Sequence, residues 1–113
     1  MAVHGSAGVN RPVLVEIVGG LDLSTVWHWE AEVGKAGSAS RTVVVDLTRV
    51  DFVDSAGVHG LFRMLASLNG QGKRAFVVAP HGGRVRRLLE ILELQSLAWL
   101  CETREEALGA HAA

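Results

Sequence analysis

The chain has 113 residues, 49% hydrophobic and 20% charged, with 11 Lys+Arg against 12 Asp+Glu and a formal net charge of −1. A chain of this length forms one domain and can bury roughly two thirds of its surface without disulfide or metal staples. The charge balance excludes general disorder and bulk attraction to nucleic acid, and a single cysteine, Cys101, excludes an internal disulfide.

Residues 1–12 are small, polar and Gly-containing, and read as a flexible arm or a weak first strand. They lack the basic start and apolar run of a signal peptide. Glu16, Asp46, Glu90 and Glu93 interrupt the apolar runs long before the roughly 20 residues of a membrane span, so a cytoplasmic domain is expected. Val13-Leu-Val-Glu-Ile-Val18 is β-rich and ends at Gly19-Gly20. A helix follows to about residue 37, with Val26, Trp29 and Val33 on its buried face and Asp22 or Ser24 as its cap. Of Trp27 and Trp29, Trp27 is the simpler to expose, where it could anchor an interface; both packing on the sheet is the alternative.

Thr42-Val-Val-Val-Asp-Leu47 carries three consecutive valines, the mark of a strand covered on both faces. Residues 48–54 connect it to a helix over 56–68, whose apolar stripe is Val58, Leu61, Phe62, Leu65 and Leu68. Asn69-Gly-Gln-Gly72 stops that helix. Residues 74–79 form the next strand, with Phe76 buried. A helix over 83–93 places Val85, Leu88, Leu89 and Leu92 on one side, and 97–101 is a last short strand holding Cys101 as a small core residue. Thr103 and Glu106 have capping-box spacing for a closing helix through Leu108. The pattern is a single α/β domain over 13–108: a mostly parallel or mixed central sheet of four or five strands, about four helices, and a loose tail over 109–113.

Function in such folds usually sits in loops at the carboxyl ends of strands. Two are distinctive here, Gly19-Gly-Leu-Asp22 and the segment Asp46-Leu-Thr-Arg-Val-Asp-Phe-Val-Asp-Ser-Ala-Gly57. Ser55 falls where a helix begins, and a helix N-terminus can hold an anion such as a phosphate. The plainer reading of that position is a helix cap.

The second segment resembles the STAS domains, particularly the bacterial anti-sigma factor antagonists. Asp46-Leu47-Thr48, Phe52-Val53-Asp54-Ser55-Ala56-Gly57-Val58 and the upstream Gly20-Leu21-Asp22 carry the likeness, which extends loosely over 13–108. The resemblance implies a STAS-like domain with no enzymatic activity, no metal and no cofactor of its own. It implies that Ser55 is a phosphoacceptor beside Asp54, and that the partner is an anti-sigma factor that is also an ATP-using serine protein kinase, with a phosphatase as a further partner. Unphosphorylated protein would bind and free a sigma factor, and phosphorylated protein would not. The partner face would comprise Asp22, Asp54, Ser55, Gly57, Val58 and His59, with Gly57 admitting the partner's backbone.

Other readings are weaker. A serine hydrolase needs Gly-x-Ser-x-Gly, but Val53 stands two before Ser55, and His59 has no orienting group. A phosphoacceptor-aspartate receiver using Asp46 or Asp54 needs a lysine at a late strand's end, and the only lysines are Lys35 and Lys73. The five histidines are scattered without metal-ligand spacing. Residues 73–87 hold five basic residues and no acid, which reads as a solvated face or a complement to an acidic partner before it reads as a nucleic-acid patch. A closer rival keeps the STAS fold but makes it a module of a stress-signalling scaffold, a transporter or a lipid-transfer system.

Overall fold

The computed structural model describes residues 2–5 and 11–112. β-Branched runs make the sheet, and the valine-rich run lies at its centre. β1 (Ala2–Gly5), β2 (Val13–Glu16), β4 (Thr42–Asp46), β6 (Arg74–Val78) and β7 (Trp99–Cys101) form one sheet in the order β1-β2-β4-β6-β7, and β3 (Gly19–Leu21) and β5 (Val50–Val53) form a separate pair. β2, β4, β6 and β7 are parallel, whereas β1 runs antiparallel to β2 with Ala2 opposite Glu16. α1 (Val26–Ala39), α2 (Ser55–Gly70), α3 (Arg84–Ile91) and α4 (Arg104–Ala112) complete the chain.

Alternation along each strand explains why the three central residues of β4 can all be valine. Val43 and Val45 point into the larger core with Val15, Val77, Trp29, Leu61 and Leu65, while Val44 points the other way with Leu14, Phe76, Cys101 and Ala107. Both faces are covered, so no polar residue is tolerated at the three central positions. α1 and α2 lie close because glycines sit at their contacts. A Cβ at Gly60 would meet Val26 at 2.4 Å, and one at Gly37 would meet Leu68 at 2.7 Å. Glu30 and Arg63 join the same two helices at 2.8 Å. Trp29 is fully buried at this seam; its indole Nε1 has no partner among the described residues, a cost of about 1–3 kcal/mol that the packing exceeds.

α4 is tied to the sheet by charge. Asp46, at the end of β4, is 1% exposed; its Oδ1 accepts the Thr48 amide at 2.9 Å and hydroxyl at 2.5 Å, and its Oδ2 accepts Arg104 Nε. Arg104 also reaches Glu16 at 2.5 Å. Burial pushes the Asp46 carboxyl up, but the Thr48 and Arg104 hydrogen bonds together outweigh it and hold it below the usual carboxylate range. Burial likewise pushes the Cys101 thiol up, with the Glu106 charge adding to it, so this cysteine stays a protonated core residue.

Several elements differ from the sequence-based expectation. Part of the N-terminal arm is a strand, β1, paired over four residues; residues 6–10 lie outside the described residues. The connection over 48–54 contains β5, which pairs with β3 just beyond Gly19. Leu92 ends α3 half-exposed, a 3-10 turn occupies Leu94–Ser96, and the last strand starts only at Trp99. Helix α4 continues through Ala112, past the expected tail boundary. The Thr103 cap is half a capping box: Thr103 Oγ1 accepts the Glu106 amide, but Glu106 Oε2 accepts from Glu102 rather than from Thr103. Arg86, expected on a solvated face, is buried and donates to the Ala79 carbonyl at 2.8 Å.

Candidate functional site

β3 and β5 extend past the carboxyl ends of β2 and β4 and carry their loops to one rim. Leu21 pairs with Val53, so Asp22 and Asp54, the next residues on each strand, come out side by side. The Asp54 amide donates to the Leu21 carbonyl at 3.2 Å.

Asp54, not Ser55, caps α2. Its Oδ1 accepts the Gly57 amide at 2.8 Å and its Oδ2 accepts the Leu23 amide at 3.1 Å, so one carboxylate joins the helix start to the β3–α1 loop. Hydrogen bonds from the Gly57 and Leu23 amides hold its carboxyl below the ordinary range. Ser55 is thereby relieved of capping and becomes the first residue of α2, one position earlier than the apolar periodicity places it. It is exposed, and its hydroxyl has no hydrogen-bond partner among the described residues.

Gly57 is buried. A Cβ there would lie 1.8 Å from the Leu21 carbonyl oxygen and 2.5 Å from the Asp22 nitrogen. The chain itself makes the close backbone approach that this glycine permits. Asp22 is half-buried and holds the Ser24 amide and hydroxyl on its Oδ1 at 2.9 and 2.6 Å. Its carboxylate lies over Gly20, where a Cβ would meet Oδ2 at 2.0 Å. The expected cap of α1 differs too: the first helical amide, of Val26, bonds the Asp22 carbonyl rather than a side chain.

Val58 is half-buried and His59 exposed, and both face an apolar groove of about 590 Å³ with Val53, Asp54, Ser55, Phe62, Leu88 and Leu92. The groove brings together all the predicted rim residues except Asp22 and Gly57. Sequence reading placed Phe62, Leu88 and Leu92 on the apolar faces of their helices; a stripe at helical spacing does not reveal that the gap between two helices stays open. Exposed apolar residues surround the rim: Leu23 is 70% exposed, Phe52 56% and Trp27 65%. Trp27 is thus the exposed tryptophan of α1 and Trp29 the buried one, which decides between the two alternatives the sequence left open. No hydrogen bond joins Ser55 to His59 among the described residues.

The rim thus belongs to a mostly parallel sheet with an antiparallel first strand, a short strand pair beyond its end and an exposed serine opening α2. The family model described as STAS domain matches residues 2–107, and the chain belongs to that family. Among solved structures, an anti-sigma factor antagonist from Mycobacterium paratuberculosis is 25% identical, over 99% of this chain and 94% of that one, with a TM-score of 0.82. The unphosphorylated form of the anti-sigma factor antagonist SpoIIAA is 21% identical, over 98% and 97% of the two chains, with a TM-score of 0.69. The STAS domain of a SulP transporter from Vibrio cholerae is 20% identical, over 88% and 79%, with a TM-score of 0.71. No curated protein matches the chain significantly.

Proposed function

We propose that this protein is an anti-sigma factor antagonist: it binds a cognate anti-sigma factor that is also a serine protein kinase, so releasing a sigma factor, and phosphorylation of Ser55 switches it off. The observation that carries the reading is the free, exposed Ser55 hydroxyl at the start of α2 beside a carboxylate that does the capping. A hydroxyl engaged as a cap would have to break its bond to be phosphorylated; this one need not. The likeness to the Mycobacterium antagonist supports the same class.

The chemistry of the switch follows from charge. A phosphate adds about −1.5 to −2 and would sit beside Asp54 and Asp22. The α2 terminus favours an anion by about 0.3–1 kcal/mol, so the fold tolerates the group. Like charge on a docked partner costs several kcal/mol, or two orders of magnitude and more in affinity. Repulsion at the interface outweighs local stabilisation. SpoIIAA is known in both unphosphorylated and phosphorylated forms, and this chain is similar to each with a TM-score of 0.69.

The test is to mix the protein with candidate anti-sigma kinases and ATP and look for one phosphate on Ser55 by mass spectrometry. Ser55→Ala should still bind the partner, and Ser55→Asp should bind it at least tenfold more weakly. Equal binding by the two variants would sink the switch. The rival reading, a module of a stress-signalling scaffold, a transporter or a lipid-transfer system, draws support from the likeness to transporter STAS domains. No helix among the described residues is long and apolar enough to cross a membrane.

A further inference from the structure

The groove beside Ser55 has helical walls. α2 contributes Val58 and Phe62, and α3 contributes Leu88, with Leu92 just past its end. α3 is two turns long, about 12 Å, and Ile91 at its end and Leu92 just beyond are 70% and 44% exposed. Next to the groove along α3 a second depression of about 310 Å³ is lined by Arg84, Arg87, Leu88 and Ile91, so Leu88 borders both. Arg84 and Arg87 are exposed, and neither has an acidic partner among the described residues. Arg86 between them is buried on the Ala79 carbonyl, and Glu90, the nearest acid on α3, is taken up by Arg86 at 3.3 Å. The bank of the groove therefore carries two uncompensated cations next to a strip of exposed aliphatic side chains.

We propose that this groove receives an acidic amphipathic helix of a protein partner. The apolar stripe of that helix lies between α2 and α3, and its acidic flank faces Arg84 and Arg87. The inference rests on reading the Ser55 rim as a partner-binding face, and it names the chemistry of what binds there. An open trough walled by two helices is completed by a third helix presenting residues at i, i+3 or i+4, and i+7. The unpaired arginines select the sign of its flank. Ser55 lines the same trough, so a phosphate there meets an acidic ligand and repels it. An acidic occupant thus explains why a single phosphate is enough to close the site.

The test uses the full chain, ¹⁵N-labelled, and three stapled helical peptides of about 15 residues that share one leucine stripe and carry Glu, Gln or Lys on the flank. The Glu peptide should shift the amides of Val58, Phe62, Leu88 and Leu92 and bind about tenfold more tightly than the Lys peptide at low salt. Arg84→Glu with Arg87→Glu should invert that order, and Ser55→Asp should weaken the Glu peptide more than the Lys peptide. Binding that ignores flank charge, an order that survives charge reversal, or no shifts in the groove would overturn the proposal. Stronger shifts with anionic phospholipid vesicles, or with laurate, would overturn it in favour of a lipid ligand. The two readings fail separately. Absence of Ser55 phosphorylation with the peptide preference intact refutes the kinase switch alone, and a partner whose affinity is indifferent to charge at Arg84 and Arg87 refutes the groove alone.

Discussion

Replacing Gly57 by alanine tests how the rim is built. The added Cβ would lie 1.8 Å from the Leu21 carbonyl oxygen and 2.5 Å from the Asp22 nitrogen, and both are backbone atoms that cannot rotate away. A carbon and a carbonyl oxygen approach to about 3.3 Å at closest, so the first turn of α2 must retreat by about 1.5 Å. That retreat pulls on the Asp54 amide bond to Leu21 and on the Leu23 amide bond to the Asp54 carboxylate. Overpacking costs about 1–3 kcal/mol, and a rigid neighbour places this site at the upper end even after the gain of up to about 1 kcal/mol in helix propensity. The expected loss is about 2–3 kcal/mol, which lowers Tm by roughly 10 °C for a chain of this size. Gly34→Ala is the control: it is an exposed helical glycine with nothing within 4 Å of a new Cβ, and it should gain about 0.5–1 kcal/mol. Thermal melts and urea titrations of both variants at pH 7 decide the matter. A Gly57→Ala protein as stable as the wild type would refute the contact, and with it the account of how Asp54 and Ser55 are held.

Two further outcomes follow from buried charge. Asp46 has a depressed folded-state carboxyl, so its contribution is present above its unfolded value of about 4 and is lost as pH falls through the lower folded value; melts from pH 7 to 2 should show Asp46→Asn about 2 kcal/mol less stable at pH 7, with the gap closing below pH 4. The figure lies under that of a fully buried pair because Arg104 remains partly solvated and keeps Glu16. Arg86→Ala should cost about 2 kcal/mol by denaturant titration, because it leaves the Ala79 carbonyl without its 2.8 Å donor, whereas Arg84→Ala and Arg87→Ala should stay within about 0.5 kcal/mol of wild type; equal effects at the three positions would refute the division between one structural and two free arginines.

The sequence by itself determined the alternation of strands and helices, the doubly covered central strand and the segment that carries the rim. Those depend on local periodicity: three valines with both faces buried, or Leu61, Leu65 and Leu68 along one side of a helix, leave their pattern in the order of residues. Tertiary structure alone decided the rest. β1 has four residues and needs β2 beside it to exist as a strand. β3 and β5 stabilise each other across some thirty residues of chain, which no local window registers. Which of two adjacent polar residues caps α2 depended on the Leu23 amide arriving from a distant loop to share the Asp54 carboxylate, and this left Ser55 free. Whether a basic residue is solvated or structural depended on the Ala79 carbonyl that Arg86 meets. Hydrogen bonds and gaps between elements are properties of their placement, so the sequence located the rim, and only the fold showed that it opens onto an apolar groove with two unpaired arginines on its bank.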